Sequence, residues 1–188
     1  MKSLSEILNQ QEHTSDNDKM IKSLFKKEHF KKKSLIFRNG DYNTKHYVIA
    51  SGLLRMYVIN SSGKEFNILF AKENQLIGDL GSPLPTKFYL DAIEDSIVYT
   101  IESSNLEKLT NLLDSNQGKT VVSQLTRSYI FLQNRLISIL TQTAEENFIS
   151  FQKRYPDLIQ RLPQYHIASY LGVSAEFLSK IIAKTAKK

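Results

Sequence analysis

Between Phe30 and Ile101 the chain alternates short apolar runs with turn-forming residues, and this alternation restricts its fold more than any other feature. The turns contain Asn, Asp, Ser and Gly, and glycine accepts positive φ without steric cost. The apolar runs are Ser34–Phe37, His46–Ala50, Leu53–Ile59, Phe66–Phe70, Asn74–Ile77, Phe88–Ile93 and Ile97–Ile101. Many short strands at this spacing are typical of an antiparallel sandwich or barrel, which we predict here.

Helical periodicity is found on both sides of the predicted barrel. Before it, residues 1 to 18 are polar and are expected to form a loose arm with a short first helix. A further helix is predicted over Asp18–Lys27, where apolar residues recur at helical spacing: Met20, Ile21, Leu24 and Phe25. After it, Ser103–Leu113 has leucines on one side and is also expected to be helical.

The longest periodic segment runs from Gly118 to Leu140. Its apolar residues are spaced by 3 and 4 and form a heptad stripe: Val122, Leu125, Tyr129, Leu132, Leu136 and Ile139. Two interpretations stay open, a core helix docked on the barrel and a dimer interface. Other apolar residues lie beside the stripe, so one face of the helix can pack on its own domain while the stripe meets a partner. We predict a homodimer joined along this helix.

A capping box follows the long helix. Thr143 and Glu146 have the spacing at which each satisfies the other's free amide, so a new helix is expected to begin here. This helix should end at Tyr155, because Pro156 excludes the helical conformation from the residue before it. We therefore divide the chain into a barrel domain with flanking helices (1–114), a dimerisation helix (115–141) and a C-terminal domain (142–188).

Residues 163–182 have small and apolar residues at the offsets of a helix-turn-helix motif that begins at Gln164. Ala168 must be small because the second helix crosses closely over the first at this point. Gly172 closes the first helix in left-handed geometry, and Ser174 is a suitable N-cap for the second helix. The shared core of the motif is predicted to contain Ile167, Leu171, Val173, Leu178 and Ile181. The alternative is an amphipathic helical hairpin that only packs.

The second helix leaves small or hydrogen-bonding residues exposed, as a surface facing a DNA groove requires. Lys180 can bond guanine and Glu176 can accept from cytosine, while the basic end with Lys187 and Lys188 is expected near phosphates. The net charge of +6 favours a polyanionic partner. The candidate DNA-binding residues are Gln164, Ser174, Ala175, Glu176, Ser179, Lys180 and Lys184.

The whole chain resembles the Crp/Fnr family of transcription regulators, most specifically over Pro163–Ile182. Thr143–Pro156 and Arg161–Gln164 resemble the short members found in Bacteroidetes-type bacteria. The resemblance implies an α+β fold with an N-terminal antiparallel jelly-roll barrel of the cyclic-nucleotide-binding type, a long dimerisation helix and an all-helical C-terminal helix-turn-helix domain. It also implies a dimeric, sequence-specific regulator of transcription whose partners are double-stranded DNA and RNA polymerase.

Two departures from the family pattern limit what the resemblance implies. The family reads bases through Arg-Glu-x-x-x-Arg, which matches Glu176 and Lys180 but has Ala175 at the first arginine, so the family's target sequence does not transfer. In the nucleotide-binding cassette, the arginine that grips phosphate is replaced by a threonine, so cyclic AMP binding is not expected. The candidate effector residues are Gly78, Asp79, Thr86 and Lys87, and the effector, if one exists, is unknown.

Composition weighs against enzymatic and cofactor chemistry. The chain has no cysteine, which excludes disulfides, iron–sulfur clusters and thiolate zinc sites. The histidines do not form a ligand-spaced set: His13, His29, His46 and His166. A cupin-like metal enzyme would need several strand histidines, and only His46 lies in a predicted strand. His166 is expected to be exposed or close to phosphate, and no metal or cofactor is predicted.

No apolar run has the length of a membrane span or a signal peptide, so we expect a cytoplasmic protein without membrane contact. The alternative is a ligand-binding or interaction module whose turn motif no longer reads DNA, which Ala175 keeps open. DNA affinity that depends on both salt and sequence separates the two.

Overall fold

The computed structural model describes residues 16–79, 84–113 and 115–185. The chain forms two compact units. The first unit comprises Met1–Val58 and Ile68–Val122, and the second comprises Ile59–Asn67 and Ser123–Lys188. The second unit therefore combines a short segment from the β region with the helical C-terminal part of the chain.

In the described part of the chain, eight strands form two four-stranded antiparallel sheets. The first sheet has the order β1-β8-β3-β6 and the second has the order β2-β7-β4-β5. The strands are β1 (Lys26–Phe30), β2 (Leu35–Phe37), β3 (Lys45–Ser51), β4 (Leu54–Ile59), β5 (Glu65–Ala71), β6 (Leu76–Ile77), β7 (Tyr89–Ala92) and β8 (Ser96–Glu102). Every apolar run that predicted a strand contains one, so the antiparallel fold expected for this region is confirmed.

Apolar side chains from both sheets form one core. Ile49, Leu54, Leu90 and Val98 have no measurable exposure, and burying a side chain of this size stabilises a fold by about 1.5–3 kcal/mol. A charged pair joins two strands of the second sheet: buried Arg55 on β4 donates to half-buried Asp91 on β7 from Nε and Nη2, at 2.9 and 2.8 Å. These two residues are register partners, so the two parallel hydrogen bonds link adjacent strands.

The turn between β3 and β4 requires glycine. Gly52 has φ +100, and a Cβ there would lie 2.7 Å from the Ser96 Cα and 2.8 Å from the Asp95 carbonyl oxygen. Neither backbone atom can move aside without disturbing β8. The close approach of this turn to β8 is therefore possible only without a side chain.

The helix predicted over Asp18–Lys27 is wrong in its second half. The structure has helix α1 at Asp16–Ser23, and Lys26 begins β1. β1 pairs with β8 along its whole length, with Lys26 opposite Thr100 and Phe30 opposite Ser96. Because this pairing satisfies the backbone amides from outside the segment, it overrides the local periodicity that extends through Phe25.

The remaining described residues are largely helical. A 3₁₀ turn at Ser103–Asn105 leads into α2 (Leu106–Leu112), α3 (Ser115–Thr141), α4 (Ala144–Arg154), α5 (Leu158–Arg161), α6 (Gln164–Leu171) and α7 (Ala175–Thr185). The predicted capping box is confirmed: the Glu146 amide donates to Thr143 Oγ1, and the Thr143 amide donates to the Glu146 carboxylate at 2.8 Å. Among the helices described, none is long and apolar enough to cross a membrane.

Candidate nucleic-acid interface

The first helix of the turn motif, α6, ends as the sequence predicts. Gly172 is left-handed, with φ +74 and ψ 20. Its amide donates to the Ser169 carbonyl at 3.3 Å, and the next amide, from Val173, donates to the Ala168 carbonyl at 3.0 Å. This pair of bonds is a Schellman motif, which satisfies carbonyl groups that the helix end leaves free. It turns the chain sharply before the second helix.

The second helix, α7, begins with a side-chain cap. Ser174 Oγ accepts from the Phe177 amide at 3.1 Å, and the Ser174 carbonyl accepts from Leu178 at 3.0 Å. Glu176 lies in the first turn, where the helix dipole favours a negative charge. A hydrogen bond from its own amide, together with one from the Ser174 hydroxyl, lowers the pKa of Glu176. This carboxylate is therefore an acceptor at neutral pH.

The core between the two helices contains the residues expected from their offsets. Ile167, Ala168, Leu178 and Ile181 are buried, and Leu178 has no exposed surface. The other two predicted core residues, Leu171 and Val173, are half-buried. Ala168 is 2% exposed, in agreement with a position where the helices cross closely.

One face of α7 is open to solvent. Glu176, Ser179, Lys180 and Ala183 are exposed there, whereas Ala175 is half-buried. The exposed face also includes Phe177, which is 49% exposed and is not among the DNA-binding residues predicted from the sequence. A helical wheel anchored on buried Leu178 and Ile181 would have found it. The helix thus presents an acid, a hydroxyl, an amine and an aromatic ring.

The structure brings residues from outside α7 towards this face. Gln164, at the start of α6, is exposed, and its Oε1 accepts from Ser179 Oγ at 3.4 Å. Lys184 forms an ion pair with Glu145 in the first turn of α4. This pair reduces the free charge at the predicted phosphate contact. Lys187 and Lys188 lie outside the described residues.

The expectation that His166 is exposed is wrong. His166 is 5% exposed and lies on the inner side of α6. Its carbonyl accepts from Asn67 Nδ2 at 2.8 Å, and its Nδ1 lies 3.4 Å from the same amide nitrogen. Asn67 belongs to the Ile59–Asn67 segment of the second unit, a long-range partner that the helical periodicity of α6 cannot reveal.

The same segment makes further contacts with α6. Ser169 Oγ donates to the Glu65 carbonyl at 2.8 Å and accepts from the backbone amide of Asn67 at 3.1 Å. Arg135 on α3 donates to the Tyr170 carbonyl at 2.6 Å, and its guanidinium lies 3.5 Å from the centre of the Tyr170 ring. The back of α6 is therefore held by hydrogen bonds while α7 faces solvent.

The heptad stripe of α3 is exposed in the single chain. Its six apolar residues, Val122, Leu125, Tyr129, Leu132, Leu136 and Ile139, are between 46% and 63% exposed. Single exposed apolar residues are common, but a continuous stripe of them marks an interaction surface. The exposure agrees with the interpretation of this helix as a dimer interface, and that assignment stays a prediction.

The four candidate effector residues do not share one environment. Thr86 is 1% exposed, its amide donates to the Asp41 carbonyl at 2.8 Å, and its hydroxyl accepts from the Phe88 amide. Gly78 and Asp79 are half-buried, and Lys87 is exposed. A cleft of about 540 Å³ in the first unit is lined by residues 36, 37, 40–45 and 47 and by none of these four. Leu80 and Gly81, which directly follow Asp79 in the sequence, lie outside the described residues.

Histidines do not gather into a metal site in the part of the chain that the structure describes. His46 is 2% exposed, and its Nε2 lies 3.0 Å from Ser103 Oγ. His29 also lies on a strand, β1, so the expectation that His46 is the only strand histidine is wrong. The two do not combine with Asp or Glu into a ligand cluster among these residues.

The β domain matches a known family model, and most of the chain is similar to known regulatory proteins. Residues 27–112 match the family model of the cyclic nucleotide-binding domain. The "Anaerobic regulatory protein" of Haemophilus influenzae is 25% identical over 183 residues, which cover 90% of this chain and 70% of that protein. The "Transcriptional activator protein FnrA" of Stutzerimonas stutzeri is 24% identical over 168 residues, covering 82% and 68%.

The fold is also that of solved structures. The structure of FixK2 from Bradyrhizobium japonicum superposes with a TM-score of 0.75 at 18% identity, covering 87% of this chain and 85% of that one. The chain therefore combines a cyclic nucleotide-binding-type domain with a helical region that contains a helix-turn-helix. The chain is thus similar to Crp/Fnr transcription regulators, and the resemblance to them predicted from the sequence is confirmed.

Proposed function

We propose that this protein is a homodimeric transcription regulator that reads DNA sequence with α7. The observation that carries the proposal is the intact geometry of the turn motif behind a solvent-exposed polar face. Gly172 ends α6 and Ser174 caps α7, while Glu176 and Lys180 are exposed on the face proposed to meet base edges. Lys180 donates to guanine and Glu176 accepts from cytosine in the major groove.

The dimer supplies the spacing of the two reading helices. Burying the heptad stripe of α3 against a second copy removes large apolar side chains from water, which favours association. Two α7 helices related by the two-fold axis enter successive major grooves about 34 Å apart on an inverted repeat. The candidate DNA-binding residues are then Gln164, Ser174, Ala175, Glu176, Ser179, Lys180 and Lys184.

The sensing role of the first unit differs from cyclic AMP recognition. Thr86, at the position of the family's phosphate-gripping arginine, is buried and engaged by backbone groups. It has no guanidinium to hold a cyclic phosphate. We therefore propose a regulator that does not respond to cyclic AMP, acts in the cytoplasm and contacts RNA polymerase on its promoters.

A selection from randomised duplex DNA, with the purified chain and no added ligand, tests this function. The expected result is enrichment of an inverted repeat whose half-sites are about one helical turn apart. A Glu176→Ala, Lys180→Ala double variant is the control, because both side chains are exposed and their loss leaves the core of the motif intact. Its enrichment should be weaker and less specific.

Failure to enrich any sequence, with the dimer confirmed by mass, would contradict this proposal. That result would favour the alternative of a ligand-binding or interaction module. The observation in favour of this alternative is Ala175, which leaves the first base-reading position of α7 half-buried and without a polar side chain.

A further inference from the structure

A cleft of about 330 Å³ lies entirely within the second unit. Residues of α3 and α4 line most of it, with Tyr155 and Tyr170 at one side. Its volume falls in the range of about 300–1,000 Å³ that small-molecule sites occupy. The cleft is therefore large enough for a ligand of modest size.

The charges around this cleft all have one sign. Three arginines line it, and none of the other lining residues is acidic: Arg127, Arg135 and Arg154. Arg135 is fixed by the Tyr170 carbonyl, whereas Arg127 donates to Ser123 Oγ at 2.9 Å and Arg154 lies over the Phe131 ring. In the described ranges, none of the three guanidinium groups forms an ion pair.

The rest of the lining is suited to an organic molecule rather than to water alone. The apolar part consists of Ile130 and four aromatic rings, from Phe131, Phe151, Tyr155 and Tyr170. Amide and hydroxyl groups lie beside them, from Asn134, Ser138, Asn147 and Ser150. Apolar walls with a few polar groups and unpaired charges are the usual composition of a ligand site.

The proposed dimer and DNA surfaces leave this cleft free. At 3.6 residues per turn, Arg127, Phe131 and Asn134 lie on the side of α3 opposite to Leu132 and Leu136 of the heptad stripe. A second copy seated on the stripe therefore does not cover the cleft. No residue of α7 lines it either.

We propose that this cleft binds a small organic anion whose phosphate or carboxylate group is held by Arg127 and Arg154. Guanidinium groups hold both kinds of anion through paired, charge-assisted hydrogen bonds. The aromatic rings contact the flat or apolar part of the same ligand. This site goes beyond the proposed DNA reading and is separate from the nucleotide cassette of the first unit.

Calorimetric titration of the full chain, without DNA, tests the site. The probes are pyrophosphate, AMP and benzoate, which offer phosphate alone, phosphate with a ring and carboxylate with a ring. We expect at least one probe to bind, and an Arg127→Gln, Arg154→Gln double variant to weaken it by about tenfold or more. The control, Lys119→Gln with Lys153→Gln, removes equal charge from the same two helices outside the cleft and should change affinity by less than about twofold.

Three results would overturn the site. One is that no probe binds at about 1 mM, the weakest affinity that such a site would need. Another is an equal loss in both double variants, which would indicate a general charge effect. The third comes from a separate titration with duplex DNA: the arginine variant loses DNA affinity while no small anion binds, which would assign these arginines to the DNA backbone. Because the anion titration contains no DNA, its failure leaves the proposed DNA reading untouched.

Discussion

Gly172 controls the angle of the turn motif through its backbone conformation. A Cβ at this position would meet no atom within 4 Å, so the requirement for glycine comes from φ +74 and not from packing. The left-handed conformation costs an L-residue other than glycine about 1–2 kcal/mol. Substitution at Gly172 therefore tests conformation alone.

We expect Gly172→Ala to lower the free energy of unfolding by about 1 kcal/mol. Gly118→Ala is the matched control, because Gly118 lies within α3 and an added Cβ meets nothing within 4 Å. In the Gly118→Ala variant the free energy of unfolding should rise by about 0.5–1 kcal/mol, since alanine is the better helix former. Urea unfolding of both variants measures the two effects, and changes of the same sign would contradict the assignment.

Lys180 is exposed on α7 and faces the proposed groove. We expect Lys180→Ala to cost about 1–3 kcal/mol on the selected site and to relax preference at one base pair. Lys184→Ala is the comparison, because Lys184 is paired with Glu145 and is proposed to meet phosphate. It should weaken binding to all sequences equally. Fluorescence anisotropy on specific and scrambled duplexes measures both, and a uniform loss for Lys180→Ala would reassign it to phosphate.

His46 makes the stability of the first unit depend on pH. Burial lowers the pKa of His46, although the negative charge of Glu102 acts in the opposite direction. Its Nδ1 is buried with no hydrogen-bond partner among the described residues, so a proton there has nothing to stabilise it. The folded form thus holds the neutral imidazole, and its pKa lies below the unfolded value of about 6.5.

Because the pKa of His46 is lowered in the folded state, the stability of the first unit should decrease at acidic pH. Neutral His46 makes its full contribution to the stability of the folded state above about pH 6.5. This contribution is lost as the pH falls below that value, because the unfolded chain then binds more protons. We expect the urea concentration at the unfolding midpoint to decrease when the pH is lowered from about 7.5 to about 5.5. The decrease should be smaller in the His46→Gln variant. His29→Gln is the control, because His29 is exposed. An unchanged pH dependence in His46→Gln would contradict the assignment.

Among the elements, α3 has two faces with different tasks. Arg135, on one face, holds the Tyr170 carbonyl of α6, while the heptad stripe on the other face is exposed. A helix that contacts α6 along one face and leaves a large apolar stripe exposed on another is suited to joining two copies.

Leu132→Asp tests the heptad stripe. Because the substitution would bury an unpaired charge in the proposed interface, we expect the dimer to dissociate. Gln124→Asp adds the same charge to the same helix at an exposed position outside the stripe and should leave the dimer intact. Sedimentation velocity distinguishes a chain of 21.6 kDa from its dimer. A Leu132→Asp variant that stays dimeric would place the interface elsewhere.

β1 shows how an element depends on its neighbour. Its sequence, Lys-Lys-Glu-His-Phe, has no alternation of apolar and polar residues that would predict a strand. Pairing with β8 supplies the hydrogen bonds, and Glu28 accepts from Lys45 at 3.0 Å and from Thr100 at 2.9 Å. These partners are distant in the sequence, so a local pattern could not reveal the strand.

For the whole molecule, the proposed dimer ties DNA affinity to half-site spacing. Inserting 5 base pairs between half-sites turns one of them to the opposite side of the duplex, because a helical turn is about 10–10.5 base pairs. One of the two α7 helices then no longer faces the major groove of its half-site. We expect DNA affinity to fall by about 10²-fold as this second contact is lost. The same insertion outside the repeat is the control. Equal binding to both duplexes would mean that each chain reads DNA alone.

Features that depend on neighbouring residues were determined by the sequence itself. The capping box at Thr143, the end of α6 at Gly172 and the cap at Ser174 all follow from side chains within a few positions, because hydrogen bonds of caps and turns are local. Apolar alternation likewise predicted the strands from β2 to β8, since burying one face of a sheet requires it.

Tertiary structure decided the features whose partners lie far along the chain. It made Lys26–Phe30 a strand, buried His166 against Asn67, and gathered Arg127, Arg135 and Arg154 around one cleft. In each case the energy comes from contacts between residues separated by tens of positions, as in the Asn67 bond to the His166 carbonyl. Periodicity records which face of a helix or strand is buried, but it does not record which distant residue that face will meet.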